Sequence, residues 1–389
     1  MSLNGPLDSL LQSGVVNGSV PGVTAAVTDR DGLIYESGFG ERAIDSGIAM
    51  TADSVGWIAS MTKAITGTAA MQLVEQGKID LDEPAGTWAP YLAEVQVLEG
   101  FGENNKPVLR APKRPITLRH LLTHTAGFGY ANWDTSINRY VETTQLPTSN
   151  SGDIRGLMTP LLFDPGDRWQ YSTAIDWAGL IVEKISGQSL GTYMHQHIFM
   201  PLGMTDTGFK ISDAMRSRKA TMHRRIEGGK LETTQMETPQ NPPAEMGGGG
   251  LYSTTGDYLN FIRMILNNGA GNGNQILKPE TVQAMSRNQM GDCRVCKLPT
   301  TNPTVSLDAE FFPGMPKTWG LTFMINSEQA PTGRSANSLS WAGLANSYYW
   351  IDPAKGIGGV FMTQILPFVD QRALALYLDF ETAVYENLP

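Results

Sequence analysis

The chain is short of charge. Only 17% of its 389 residues are Asp, Glu, Lys or Arg, against roughly 25% in an ordinary soluble domain. The balance is acidic, with a formal charge of -9. A surface of that sign repels phosphate backbones and anionic headgroups, so neither nucleic acid nor membrane is expected as a partner. Long hydrophobic runs are missing too: none approaches the roughly 20 residues of a spanning helix. No Lys or Arg precedes Arg30, so the start lacks the basic region of a secretory leader, and the cytoplasm is the expected location.

Cysteine is nearly absent. Cys293 and Cys296 form a lone Cys-x-x-Cys. A structural zinc takes four ligands and no second pair exists. No thioredoxin-like strand and helix flank the pair, so two surface-loop thiols are expected. Histidine is scarce as well. His195 and His197, two apart on a helix, point about 200° apart and cannot share a metal. His120 and His223 carry no signal, and His124, within Thr-His-Thr-Ala-Gly, reads as a turn-stabilising residue. No metal or organic cofactor is implied, and no oligomeric state is specified.

What is present is apolar (41%) and rich in glycine, 42 residues, enough for a sizeable core with many close backbone approaches. Helical spacing marks residues 6 to 17, 60 to 78, 117 to 123, 173 to 186, 189 to 199 (ending before Pro201), 255 to 267 and 370 to 386. Val23 to Val27 and Leu33 to Tyr35 flank Asp31-Gly32, a hairpin signal. Trp319 to Ile325, Ser347 to Ile351 and Gly359 to Thr363 read as further strands, the last two joined by a turn at Asp352. The expected fold class is α+β: an antiparallel sheet from both chain ends flanked by helices, with an inserted, mostly helical region. That divides the chain into a sheet domain, 1–58 plus 245–389, and a helical domain, 59–244, with the active site at their interface.

One charge is out of place. Between Asp53 and Glu75 the only charged side chain is Lys63, in the middle of a helical pattern that looks made for burial, and lysine is almost never buried unless paired or used. Ser60 stands one turn earlier on the same face. Burial disfavours the ammonium, so such a lysine can act as a neutral base for the hydroxyl, while unpaired N–H groups of the first turn lie ready for an oxyanion. The bland alternative is an N-capping serine and a lysine snorkelling to solvent.

The segment Gly56-Trp57-Ile58-Ala59-Ser60-Met61-Thr62-Lys63 resembles the nucleophile motif of the serine β-lactamases and penicillin-binding proteins. Pro165 to Thr173, containing Tyr171-Ser172-Thr173, is similar to the tyrosine motif of the class C branch. Leu121 to Gly127, Gly247 to Ser253, and Trp341-Ala342-Gly343 followed by Tyr348 to Pro353 match in order and spacing. The resemblance, spanning about residues 20 to 365, implies that fold and a serine acyl-enzyme. It departs from the lactamases at two points. Trp341-Ala342-Gly343 replaces Lys-Thr-Gly, and Thr173 replaces the usual Asn. Both changes remove groups that would hold a β-lactam's carboxylate and amide. Lys317-Thr318 opens a different strand and reads as a decoy.

The departures resemble the family VIII carboxylesterases and related acyltransferases, which implies a small neutral ester as substrate. On that basis Ser60, Lys63 and Tyr171 are the expected catalytic residues, with either Lys63 or Tyr171 as the base, since the two would act as a coupled pair. The N–H groups of Ser60 and Leu344 form the expected oxyanion hole, and Trp341, Gly343, Thr173 and, most weakly, Tyr130 line the substrate. A β-lactamase or D-Ala-D-Ala peptidase, an acyltransferase and a catalytically dead binding protein are the alternatives. Gly187-Gln188-Ser189-Leu190-Gly191 fits the nucleophile elbow of α/β-hydrolases, but helical pattern precedes it, so Ser189 reads as a helix cap.

Overall fold

In the computed structural model, which describes residues 3–388, the turn at Asp31-Gly32 joins β1 (Gly22–Asp29) to β2 (Leu33–Gly40). Asp29 Oδ1 closes it by accepting the N–H groups of Asp31 and Gly32, both at 2.8 Å. Five strands from the other end of the chain complete one antiparallel sheet. They are β3 (Lys317–Trp319), β4 (Met324–Asn326), β5 (Leu339–Gly343), β6 (Ser347–Asp352) and β7 (Ile357–Met362). The order is β3-β4-β5-β6-β7-β1-β2, so β1 lies against β7 from the far end of the chain.

The long helices are α1 (Asn4–Val16), α2 (Thr62–Glu75), α3 (Ala174–Ser186), α4 (Thr255–Leu266) and α5 (Gln371–Glu386). Both faces of the sheet are covered, as the period of two on β6 records. Tyr348 and Trp350 meet Tyr377 and Phe380 of α5, whereas Tyr349 between them meets Tyr258 of α4. Burying each such ring contributes about 1.5–3 kcal/mol. Asp370 starts α5 by accepting the N–H of Ala373.

α2 runs through the interior. Twelve of its residues, Thr62 to Leu73 without a break, are buried, the pattern of a helix wrapped on all sides. Gly67 permits this: a Cβ there would stand 2.4 Å from Thr322 Cγ2. Gly77 (φ 65°) ends the helix as expected, with Lys78 N–H returning to the Leu73 carbonyl at 3.0 Å in a Schellman closure.

Three elements differ from expectation. Trp319 to Ile325 is not one strand, because Gly320 N–H bonds the Phe323 carbonyl and Thr322 takes φ 80°, folding the segment into a hairpin turn between β3 and β4. The helix at Leu190–Met194 passes Pro201: a wide turn over His195–Phe199 leads into Met200–Leu202, near whose start the missing proline N–H costs no bond. Helix Thr135–Thr144, capped by Asp134, and the hairpin of Val97–Phe101 with Pro107–Arg110 lie outside the segments that periodicity marks. Among the described residues no helix is long and apolar enough to cross a membrane.

Candidate active site

Ser60 sits just before α2, not within it, in a single 3-10 turn, Ala59–Met61. Ala59 adopts φ 44°, a left-handed conformation that costs a non-glycine residue roughly 1–2 kcal/mol. Its surroundings impose it. Gln364 clamps Trp57 on both sides, accepting its N–H at 2.9 Å and donating to its carbonyl at 3.1 Å. Met61 N–H closes the turn on the Ile58 carbonyl at 3.0 Å. The end of β5 presses on the same segment: a Cβ on Gly343 would fall 2.4 Å from the Ile58 oxygen. Only Leu339 and Ser340 of β5 pair with β4, so Trp341 to Gly343 present an edge free of that neighbour beside the serine turn. Leu344 follows directly and is half-buried.

Lys63 is 0% exposed. It does not snorkel. Its Nζ lies 3.1 Å from Ser60 Oγ, 3.1 Å from Tyr130 Oη and 2.5 Å from the Gly248 carbonyl, and 4.8 Å from the centroid of the Tyr171 ring. The two tyrosines near the amine make different contacts. Tyr130, the weakest candidate, bonds the amine. Tyr171 instead accepts the indole N–H of Trp341 at 3.0 Å and, among the described residues, makes no hydrogen bond to Lys63 or Ser60. Burial, with smaller contributions from the charges of Asp176 and Tyr171, holds the Tyr130 phenol well above its ordinary pKa. Of the other expected substrate contacts, Trp341 and Thr173 are buried. Thr173 occupies the N-cap position of α3 without capping it, and its Oγ1 has no hydrogen-bond partner among the described residues.

His124 is buried in the aromatic wall behind Tyr171, their ring centroids 4.7 Å apart. It takes φ 58° in its turn, and burial, then the nearby Lys63 charge, drives its pKa well down. His120 joins Thr117 in a capping box, and His223 Nε2 accepts the N–H of Ile44. Ser189 caps its helix by accepting from Thr192 N–H. Lys317, on the outermost strand, donates to the carbonyls of Phe312 and Met315. Cys293 and Cys296 are free thiols, and Asp352 accepts the N–H groups of Ser335 and Lys355. Among the described residues no three His, Cys, Asp or Glu side chains group as a metal site.

One residue escaped the sequence. Asp176, in the first turn of α3, is 4% exposed and accepts the N–H of Gly248 at 2.7 Å, so it touches the same glycine whose carbonyl holds Lys63. The signal was there: a single acid opens the otherwise uncharged run Ala174 to Val182, the same anomaly that singled out Lys63.

The β-lactamase family pattern covers residues 7–384. The chain is an enzyme of the β-lactamase family. Within it, the chain is 30% identical over 391 residues to a lovastatin esterase of Penicillium rubens, covering 95% of each. It is 30% identical over 398 residues to ML-236A carboxylate methylbutanoyltransferase of Penicillium citrinum, covering 98% of this chain and 94% of that one. Its fold superposes on a mutant of simvastatin synthase from Aspergillus terreus with a TM-score of 0.85 at 29% identity, over 99% and 97% of the two chains. Hydrolase and acyltransferase relatives thus share one β-lactamase-like scaffold.

Proposed function

We propose that this enzyme cleaves small carboxylic esters through an acyl-enzyme on Ser60, with Lys63 as the base. The observation that carries the proposal is the contact of the buried Lys63 Nζ with the half-buried Ser60 Oγ at 3.1 Å. The partners of the amine suit both of its protonation states. As a neutral amine it donates to the Gly248 carbonyl and to Tyr130, and its lone pair accepts the Ser60 proton; as an ammonium it donates to all three. A group satisfied either way can take a proton and return it without leaving a buried atom unpaired.

In the first step Ser60 Oγ bonds to the ester carbonyl carbon and its proton passes to Lys63. The oxyanion falls to the backbone N–H groups of Ser60 and Leu344. Two observations support this: neither takes part in the turn and loop hydrogen bonds among the described residues, and Gly343 draws the two segments together. The carbon–oxygen bond to the leaving group then breaks and an alkoxide departs with a proton. Tyr171 is the proposed donor, because its oxygen already accepts from Trp341, leaving its own hydrogen to donate elsewhere. Water then attacks the acyl carbon, its proton passing to the Tyr171 oxygen; the bond to Ser60 Oγ breaks, Lys63 returns its proton to that oxygen, and the acid is released.

The relatives support a second outcome of that step. An esterase and an acyl transferase resemble the chain equally, and an alcohol in place of water gives acyl transfer through the same intermediate. A nitrophenyl ester assayed with and without a competing alcohol measures the partition. Ser60→Ala should abolish both products, and a phosphonate should add its mass to the Ser60 peptide; labelling at Ser189 overturns the proposal. Cephalosporin turnover should be slow, since Trp341 stands where lactamases carry lysine and Lys317 is held by Phe312 and Met315.

A further inference from the structure

Lys63 needs a fixed direction as well as burial, since an amine on four methylenes has many rotamers. Its anchor is the Gly247–Gly250 loop, which is pinned from both sides. From α2, Thr66 Oγ1 donates to the Gly247 carbonyl at 2.6 Å. From α3, Asp176 Oδ1 accepts Gly248 N–H at 2.7 Å, and Gly248 returns its carbonyl to Lys63 at 2.5 Å. Contact is so close that a Cβ on Gly248 would stand 2.3 Å from Asp176 Oδ2. A carboxylate this buried normally has a cation against it, yet no salt bridge among the described residues includes Asp176.

We infer that Asp176 is a positioning residue for the amine: through Gly248 it aims Lys63 at Ser60, and by its negative charge it favours the proton on Lys63 once Ser60 has released it. This rests on Lys63 being the base. The acid does for the lysine what the buried aspartate of a Ser-His-Asp triad does for its imidazole, with one residue of backbone interposed. Four titratable side chains surround the charge or its partner: Lys63 from α2, Tyr130 from the loop before the Thr135–Thr144 helix, and Tyr171 and His124 from the aromatic wall. Among the charges acting on Tyr130, His124 and Asp176 there is no carboxylate except Asp176 itself.

The decisive variant is Asp176→Asn, whose amide oxygen keeps accepting Gly248 N–H while the charge is lost. Wild type, Asp176→Asn, Asp176→Ala and Lys63→Ala are assayed with a nitrophenyl ester across pH, and thermal unfolding is recorded for each. The expected result is a fall of roughly 10- to 100-fold in kcat for Asp176→Asn with KM little changed. The part of the acid limb that records loss of the Asp176 charge, near pH 6 in the wild type, should be missing from its profile. Its Tm should be no lower than wild type. Asp176→Ala, which also frees Gly248, should lose more activity.

Wild-type kcat with an unchanged acid limb in Asp176→Asn overturns the inference. So does lost activity that merely tracks a lowered Tm, which marks a packing role. If Lys63→Ala keeps wild-type rates, the proposed base fails; if Lys63→Ala is inactive while Asp176→Asn behaves as wild type, only the role of Asp176 does.

Discussion

α2 and α3 are built alike and were not equally legible. Each is a mostly apolar helix packed in the interior, and each carries one buried charge near its N-terminus, Lys63 in one and Asp176 in the other. The positive charge stood out because it is the only one between Asp53 and Glu75, in a helical run that looks made for burial, where a lysine is rarely found unless paired or used. The negative one had an ordinary explanation, since an acid in the first turn is what the dipole favours and what many exposed helices carry. A buried charge that opposes local preference announces itself, whereas one that agrees with it hides.

The comparison can be broken first at its strongest point. Ser60→Ala should remove all esterase activity, and retention of more than a trace would separate the α2 turn from the chemistry. Lys63→Ala should cost at least roughly 100-fold in kcat/KM if the amine is a base of ordinary strength; a smaller loss would leave it as a buried structural cation. Next come the two phenols. Tyr171→Phe, losing the proposed proton donor, should cost roughly 10²- to 10⁴-fold, whereas Tyr130→Phe, losing one hydrogen bond to the amine, should cost roughly 10-fold. The reverse order in parallel assays would hand the donor role to Tyr130.

Those phenols show where sequence reasoning ends. The hairpin turn at Asp31-Gly32, the helix boundaries at Ala174–Ser186 and Gln371–Glu386 and the Ser60–Lys63 contact follow from turn and capping residues, periodicity and one i, i+3 relation, all local or nearly so. The hydrogen bond of Tyr130 to Lys63 joins residues 67 apart, through a turn whose direction is set by Gly127 at φ 101°, where a Cβ would meet the Phe163 carbonyl at 2.5 Å. Nothing near Tyr130 in the sequence records that. Thr173 shows another limit: its place in the motif suggested a substrate contact, but not that at the start of α3 it would be buried with its hydroxyl unpaired among the described residues. The 3-10 turn at Ser60 was equally unreadable, because Ala59 is held left-handed by Gln364 and Gly343 from the opposite end of the chain.

The smallest effect sharpens the comparison most, because it separates what a buried charge does for stability from what it does for chemistry. Burial lifts the Asp176 carboxyl to about 6, Lys63 and the Gly248 N–H pulling the other way. A folded-state value above the unfolded one near 3.9 means that the protein binds this proton more tightly when folded. The stability so contributed is full below about pH 4 and is lost as pH rises through about 6. The amide of the Asp176→Asn variant does not titrate, so that variant should match wild type in stability near pH 4 and gain on it up to pH 7, by at most about 3 kcal/mol at two pKa steps of roughly 1.4 each. Asp257, lifted to about 6 chiefly by its own burial, is present in both proteins and cancels. Denaturant titrations at pH 4, 5, 6 and 7 check this. A variant that grows more stable than wild type while turning over more slowly would mean that α3 bears an energetic cost which the chemistry at Ser60 uses, and a variant less stable at every pH would mean that Asp176 is there for packing.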